Sequence, residues 1–398
     1  MGLSKARLEQ MHDVMAGHVE RGDVPGLVTL ISRQGEVHVD TMGTMTAGGG
    51  DPIRRDTIFR ISSMTKPVTA VAAMILVEEC ALRLDEPVDR LLPELADRRV
   101  LRRIDGPLDD TVPADRPITV RDLLTFRMGI GLVMAVPGTH PIADALAALG
   151  QGPPNPAGPP GPDEWIRRLG TLPLVHQPGE RWMYNTGSDV LGVLIARAAG
   201  CPFETFLRER IFEPLDLKDT GFSVPATELD RLATSYWTNP DTGVTEVFDP
   251  AEGGQWSRPP AFPSGAGGLV STVDDYLAFA EMLRAMGTYG AERIVSRPSV
   301  EVMTTDQLTP DQKAVSGLVP EYFDGHGWGF GVSVVTRRTD VAKSVGTYGW
   351  DGGLGTSWCT DPVEDMMLIL MTQRAWTSPA PPNVCLDFWT SAYQALDD

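Results

Sequence analysis

Residues 57–88 read TIFRISSMTKPVTAVAAMILVEECALRLDEPV, and Ser63-Met64-Thr65-Lys66 within them decides the reading of the whole chain. On a helix, a serine and a lysine three positions apart share one face, roughly 5–6 Å apart at Cβ. That is the spacing a hydroxyl nucleophile and an amine base need to exchange a proton. Only five of the 34 basic residues are lysine, namely Lys5, Lys66, Lys218, Lys313 and Lys343. Arginine cannot give up its proton in a protein, so a lysine here is chemically meaningful. The apolar run that follows Lys66 is also a poor setting for a surface charge. Taken alone, the tetrapeptide is equally compatible with a serine helix start and an incidental lysine.

Two further stretches carry candidate chemistry. Tyr184 lies in PGERWMYNTGSDVLG, residues 178–192. A phenol near a charged lysine can be held as phenolate and serve as the proton acceptor, although a lone tyrosine is more often a core residue with a satisfied hydroxyl. Residues 346–362, GTYGWDGGLGTSWCTDP, cluster Gly349, Gly352, Gly353 and Gly355 beside a strand-like run. Glycine lets a backbone N–H approach a ligand closely; taken alone, such a cluster reads as a tight hairpin.

These stretches, in this order, resemble the class C β-lactamase-like serine hydrolases, and within them the family VIII carboxylesterases. The resemblance covers nearly the whole chain. FRISSMTKPVTA is similar to the nucleophile helix, PITVRDLLTFRMGIG to a stretch often written HTSGL, and PGERWMYNTGSDVLGVLIARAAGCPFETFLRERIFEPLDLKDTGF to the tyrosine-motif segment. SGAGGLVSTVDDYLAFAEML and YGWDGGLGTSWCTDPVEDMMLILMTQ match the closing segments. The resemblance implies an α/β (α+β) fold of two lobes, β-lactamase/penicillin-binding-protein-like, with an antiparallel sheet flanked by helices and an inserted, mostly helical lobe. It implies Ser63 as acyl-accepting nucleophile, Lys66 and Tyr184 as the base pair, and the N–H groups of Ser63 and Gly353 as oxyanion hole. Trp350-Asp351-Gly352 would stand in the slot of the K-T-G triplet.

Two departures shape the expected substrate. The triplet lysine that helps to bind a β-lactam carboxylate is replaced by Trp350, with Asp351 next to it, which points to neutral esters. The tyrosine motif reads Tyr184-Asn185-Thr186 rather than Y-x-N, so Asn185 stands one place early. Expected activity is hydrolysis of short-chain or hydrophobic carboxylic esters through an acyl-enzyme. Acyl transfer, weak β-lactamase activity, or a non-catalytic ligand-binding member of the fold are the alternatives. Trp350, Asp351, Gly352, Trp237 and His326 are candidate substrate contacts, with Tyr236 a weaker one. No metal or cofactor is implied.

Length and composition set the frame. A chain of 398 residues exceeds the usual ~100–200 residues of one domain. The division expected is 1–95 plus 265–398 as a lobe formed by both termini, with 96–264 inserted and the site between them. A hairpin is expected around Arg33-Gln34-Gly35-Glu36, the nucleophile helix is expected to run to about Ala81, and 152–162, GPPNPAGPPGP, is a loop. The formal net charge of −19 disfavours nucleic acid and anionic membranes as partners, leaving a small-molecule ester; nothing indicates an oligomeric state. The first 23 residues place Leu8, Met11, Met15 and Val19 at helical spacing, an amphipathic helix ending near Gly22 rather than a signal peptide. With no run of ~18 apolar residues and no paired cysteines, a cytoplasmic location is expected. An α/β-hydrolase reading fails for want of G-x-S-x-G, and none of the six histidines adjoins a nucleophile motif.

Overall fold

The computed structural model describes residues 2–152, 154–239 and 241–397; the expected loop 152–162 contains Pro153, which lies outside them. An eight-stranded sheet organises the molecule. Its spatial order is His326–Trp328, Ser333–Val335, Tyr348–Gly352, Thr356–Asp361, Met366–Thr372, Gly26–Arg33, Glu36–Thr46 and Gly49–Pro52. Every neighbouring pair is antiparallel. The strands at its centre come from the two ends of the chain.

The central strands are apolar throughout because both faces are covered, and side chains alternate between those faces. Met366, Leu368 and Leu370 pack with Leu27 and Ile31 against Met11, Met15 and Phe388. Those last three belong to the terminal helices Lys5–Glu20 and Asn383–Gln394. Met367, Ile369 and Met371 join Val28 and Leu30 in the main core on the other face, with Val68, Val71 and Phe279. The expected hairpin forms: Arg33 pairs with Glu36, and Gln34 and Gly35 both take positive φ, +51° and +84°. Two positive φ values in a two-residue loop match the right-handed twist of the flanking strands.

The nucleophile segment differs from the expected single helix at both ends. Residues Ser62–Met64 form a 3₁₀ turn, and the α-helix runs from Thr65 to Glu78. Pro67 fits its first turn because the missing N–H there has no intrahelical partner. Cys80, at φ +58°, stops the helix: its N–H reaches Val77 O at 3.0 Å, and Ala81 N–H reaches Leu76 O at 2.9 Å. That paired pattern is a Schellman end. Every residue from Thr65 to Leu76 is buried, so the helix is held by the core around it rather than by propensity.

Residues 96–264 contribute none of the eight strands. They supply the helices Val120–Leu124, Pro141–Ala148, Pro162–Thr171, Thr186–Ala199 and Phe203–Leu207 and two small hairpins, one of them Ser235–Thr238 with Thr245–Asp249. Arg60, two residues before the 3₁₀ turn, is fully buried against Asp249 of that hairpin, with Nε–Oδ2 at 2.8 Å and a second contact from its other nitrogen. Among the described residues, no single helix is long and apolar enough to cross a membrane.

Candidate active site

The 3₁₀ turn lifts Ser63 out of the helix that follows and aims it into a cleft of about 670 Å³. Ser62 takes φ +47°, a conformation that costs a non-glycine residue energy and is seen where surrounding structure enforces it. Thr356 Oγ1 donates to Ile61 O at 3.1 Å, tying the turn to the sheet. Gly352 lies just as close: a Cβ there would sit 2.3 Å from Ile61 O and 2.2 Å from Thr356 Oγ1. Gly352 is therefore a close-approach glycine that seats the nucleophile turn, and it is not among the residues that line the cleft.

Lys66 Nζ lies 2.9 Å from Ser63 Oγ and donates to the Ala266 carbonyl at 2.6 Å. Lys66 is fully buried, and burial lowers its pKa to about 7; the charge of Asp189 pulls the other way. Near neutral pH a substantial fraction of Lys66 is the free amine, the form that accepts a proton. Tyr184 stands over it, with Nζ 4.4 Å from the ring centroid. Burial pushes the Tyr184 phenol well above its ordinary range, opposed by Ser63 and by the hydrogen bond from Trp350. Tyr184 is thus a phenol, not the phenolate its neighbourhood to a lysine suggests from sequence.

The tyrosine motif has an unusual backbone. Asn185 takes φ +85° and ψ −67°, and Thr186 N–H reaches Tyr184 O at 3.3 Å. This is a strained γ-turn that separates Tyr184 from the helix Thr186–Ala199. It turns Asn185 towards Gln151, with Nδ2 3.4 Å from Oε1, and Thr186 Oγ1 donates to the same oxygen at 2.7 Å.

Behind Lys66 lies a carboxylate that sequence reading did not single out. Asp189 is buried and accepts from Ser264 Oγ at 2.6 Å, Gln151 Nε2 at 3.1 Å and Ala266 N–H at 3.2 Å. Three donors suit an ionised acceptor. Its only sequence signal is an acidic residue in the first turn of a helix, which the helix dipole favours anywhere.

The other expected residues are placed as follows. Ser63, Tyr184, Gly353, Trp350, Asp351, Trp237 and His326 all line the same cleft. Gly353 sits in the turn after the strand Tyr348–Gly352, and a Cβ on it would meet nothing within 4 Å, so open space lies over its backbone. Trp350 Nε1 donates to the Tyr184 hydroxyl at 2.8 Å. Asp351 projects to the opposite side of its strand, where Ser357 is its cross-strand neighbour; burial raises its pKa, and Lys343 and Ser357 oppose that. Burial and the charges of Lys343 and Lys313 lower the pKa of His326, keeping it neutral. Tyr236, by contrast, is buried and accepts a hydrogen bond from Ala47 N–H at 2.8 Å, a structural tie rather than a cleft residue.

The fold is that of the β-lactamases and penicillin-binding proteins. The chain belongs to the Beta-lactamase family, whose model it matches over residues 11–382. It is 41% identical to Protein Rv1367c from Mycobacterium tuberculosis over 365 residues, 89% of this chain and 87% of that one. It is 31% identical to Esterase EstB from Burkholderia gladioli, covering 90% and 88% of the two chains. Among solved structures it superposes on EstCE1, described as a hydrolase with promiscuous acyltransferase activity, with a TM-score of 0.80 at 26% identity, covering 98% of this chain and 99% of that one.

Proposed function

We propose that this protein is a serine hydrolase that cleaves short-chain or hydrophobic carboxylic esters through an acyl-enzyme on Ser63. One observation carries the proposal: a serine hydroxyl opening into an apolar cleft lies 2.9 Å from the amine of a fully buried lysine whose pKa is about 7. A serine is a poor nucleophile until a base takes its proton, and a desolvated lysine near neutrality is matched to that task.

In this reading neutral Lys66 takes the Ser63 proton as Oγ attacks the ester carbonyl. The N–H groups of Ser63 and Gly353 hold the oxyanion. Tyr184 gives its proton to the leaving alkoxide and is reprotonated from Lys66. Water, activated by the same pair, then releases the acid and restores Ser63. Trp237, Phe248 and Leu318 supply apolar cleft wall for the acyl or alcohol part. His326 and Asp351 line the far part of the cleft, and we give them substrate contact there, not proton transfer. We also retain the lobe division proposed from sequence, 1–95 with 265–398 around 96–264, with the cleft at its junction.

The esterase relative supports hydrolysis. Transfer of the acyl group to an alcohol in place of water is the second reading, favoured by the likeness to EstCE1, a hydrolase with promiscuous acyltransferase activity. Trp350, where the triplet resemblance expects a lysine, supports neutral esters over anionic β-lactams. The test is steady-state turnover of p-nitrophenyl acetate, butyrate and octanoate beside a chromogenic cephalosporin. Ester turnover is expected, lost by at least about 10³-fold in Ser63→Ala, with little cephalosporin hydrolysis. Wild-type-like turnover by Ser63→Ala would overturn the assignment. Comparable cephalosporin turnover would remove the substrate preference.

A further inference from the structure

The Ser63–Lys66–Tyr184 cluster is closed at each end by a group that can play only one part. An indole N–H donates and never accepts; a carbonyl accepts and never donates. Trp350 Nε1 lies 2.8 Å from the Tyr184 hydroxyl, and the Ala266 carbonyl lies 2.6 Å from Lys66 Nζ. From these two ends, we infer that Trp350 is the positioning residue that commits Tyr184 to donating its proton, because the indole N–H makes the phenolic oxygen an acceptor. The inference rests on the proposed acyl-enzyme reading.

The assignment follows one bond at a time. Trp350 occupies the Tyr184 oxygen as an acceptor, so the phenolic hydrogen is directed away from the indole, with Ser63 the other polar side chain that acts on the phenol. At the opposite end, a neutral amine has two N–H bonds and one lone pair. The Ala266 carbonyl takes one N–H, and in the reactive arrangement the lone pair takes the Ser63 hydrogen across 2.9 Å. Lys66 is then the base, and Tyr184 keeps a proton to give.

Both ends are held by packing. Trp350 sits in register with Trp358 and stands edge-on to Trp328, ring centroids 4.7 Å apart at 89°. The N–H of Gly267, on the same peptide as the Ala266 carbonyl, donates to Ser264 Oγ at 3.1 Å, which fixes the peptide that faces Lys66. A lysine in place of Trp350 would bring a positive charge that favours phenolate; the uncharged indole leaves a phenol with a proton to give.

The donated proton matters only when the leaving group needs it. As the C–O bond of an alkyl ester breaks, the departing alkoxide takes the Tyr184 proton, and Lys66, carrying the proton from Ser63, restores the phenol. A p-nitrophenolate leaves without protonation. The experiment therefore compares kcat/KM for ethyl butyrate and p-nitrophenyl butyrate in wild type, Trp350→Phe, Tyr184→Phe and the double variant. Trp350→Phe is expected to lose at least about tenfold more kcat/KM on ethyl butyrate than on p-nitrophenyl butyrate. The double variant is expected to match Tyr184→Phe alone, because Trp350 acts through that hydroxyl. Should Trp350→Phe not fold, 3-benzothienylalanine placed at position 350 keeps the ring shape and removes only the N–H. Equal losses on both esters, or additive losses in the double variant, would overturn the inference while leaving the Ser63 acyl-enzyme standing. Absence of Ser63-dependent turnover in wild type would overturn both.

Discussion

At the scale of single residues, the account turns on Lys66. Its amine is buried away from water, so the charged form is penalised and its pKa falls from 10.5 to about 7. The base must be neutral; kcat/KM for an ester is therefore expected to rise with unit slope as pH climbs through about 7 and then level off. A profile flat from pH 5 to 9 would contradict this. Asp189 raises the Lys66 pKa by its charge, so Asp189→Asn is expected to move that limb to lower pH, measurable on p-nitrophenyl butyrate. The same burial has a stability signature. Between about pH 7 and the unfolded-state value near 10.4, the unfolded chain binds a proton that the folded chain does not. Folding stability should rise with pH across that window, and Lys66→Met should flatten the rise in urea denaturation at pH 7 and 9.5. Ser63, Lys66 and Tyr184 were legible because their residue types and spacings are chemically unusual. Asp189 and Gln151 were not, because a buried acid and amide look like any first-turn acid and any loop glutamine until folding brings them together.

At the scale of elements, the strand Tyr348–Gly352 does two jobs by alternation. It turns Trp350 to the tyrosine hydroxyl and sends Asp351 towards Ser357 and Lys343. The W-D-G triplet could be read from sequence as a unit beside the site, but a string of letters does not say which member faces which way. The glycine that ends it has a definite load: no side chain fits between the strand and the Ile61 carbonyl. Gly352→Ala is expected to destabilise the protein by about 1–3 kcal/mol and to lower ester turnover at least tenfold by shifting the Ser63 turn. Thermal melting and steady-state kinetics check both; a fully active, equally stable variant would contradict the close approach. The nucleophile helix shows where periodicity stops informing. Its apolar run forecast a helix, but positive φ at Ser62 and Cys80 shortened it, and both are ordinary residues forced there by tertiary contacts.

At the scale of the whole molecule, one sheet is assembled from both ends of the chain and the catalytic candidates are set against two of its inner strands, Tyr348–Gly352 and Thr356–Asp361. That architecture was legible because the segments 27–31 and 366–372 are continuous apolar runs, as strands covered on both faces must be. The short strands His326–Trp328 and Ser333–Val335 share one run, GWGFGVSVVT at residues 327–336, in which nothing in the hydrophobic pattern marks the turn between them. Arg60 and Asp249, both buried, join the strand ahead of Ser63 to the hairpin that carries Trp237 and Phe248. Removing one partner leaves a buried charge alone; Asp249→Ala is expected to cost about 3–5 kcal/mol, read by chemical denaturation, with ester turnover falling as the cleft wall loosens.

The most direct test of the central claim is covalent. Wild type and Ser63→Ala are treated with a p-nitrophenyl alkylphosphonate, and the adduct is located by peptide mass spectrometry. The account requires one stoichiometric adduct on Ser63, formed faster as pH rises through about 7 and absent from the variant. An adduct on another residue, or continued ester turnover by a protein that takes no label at Ser63, would contradict it.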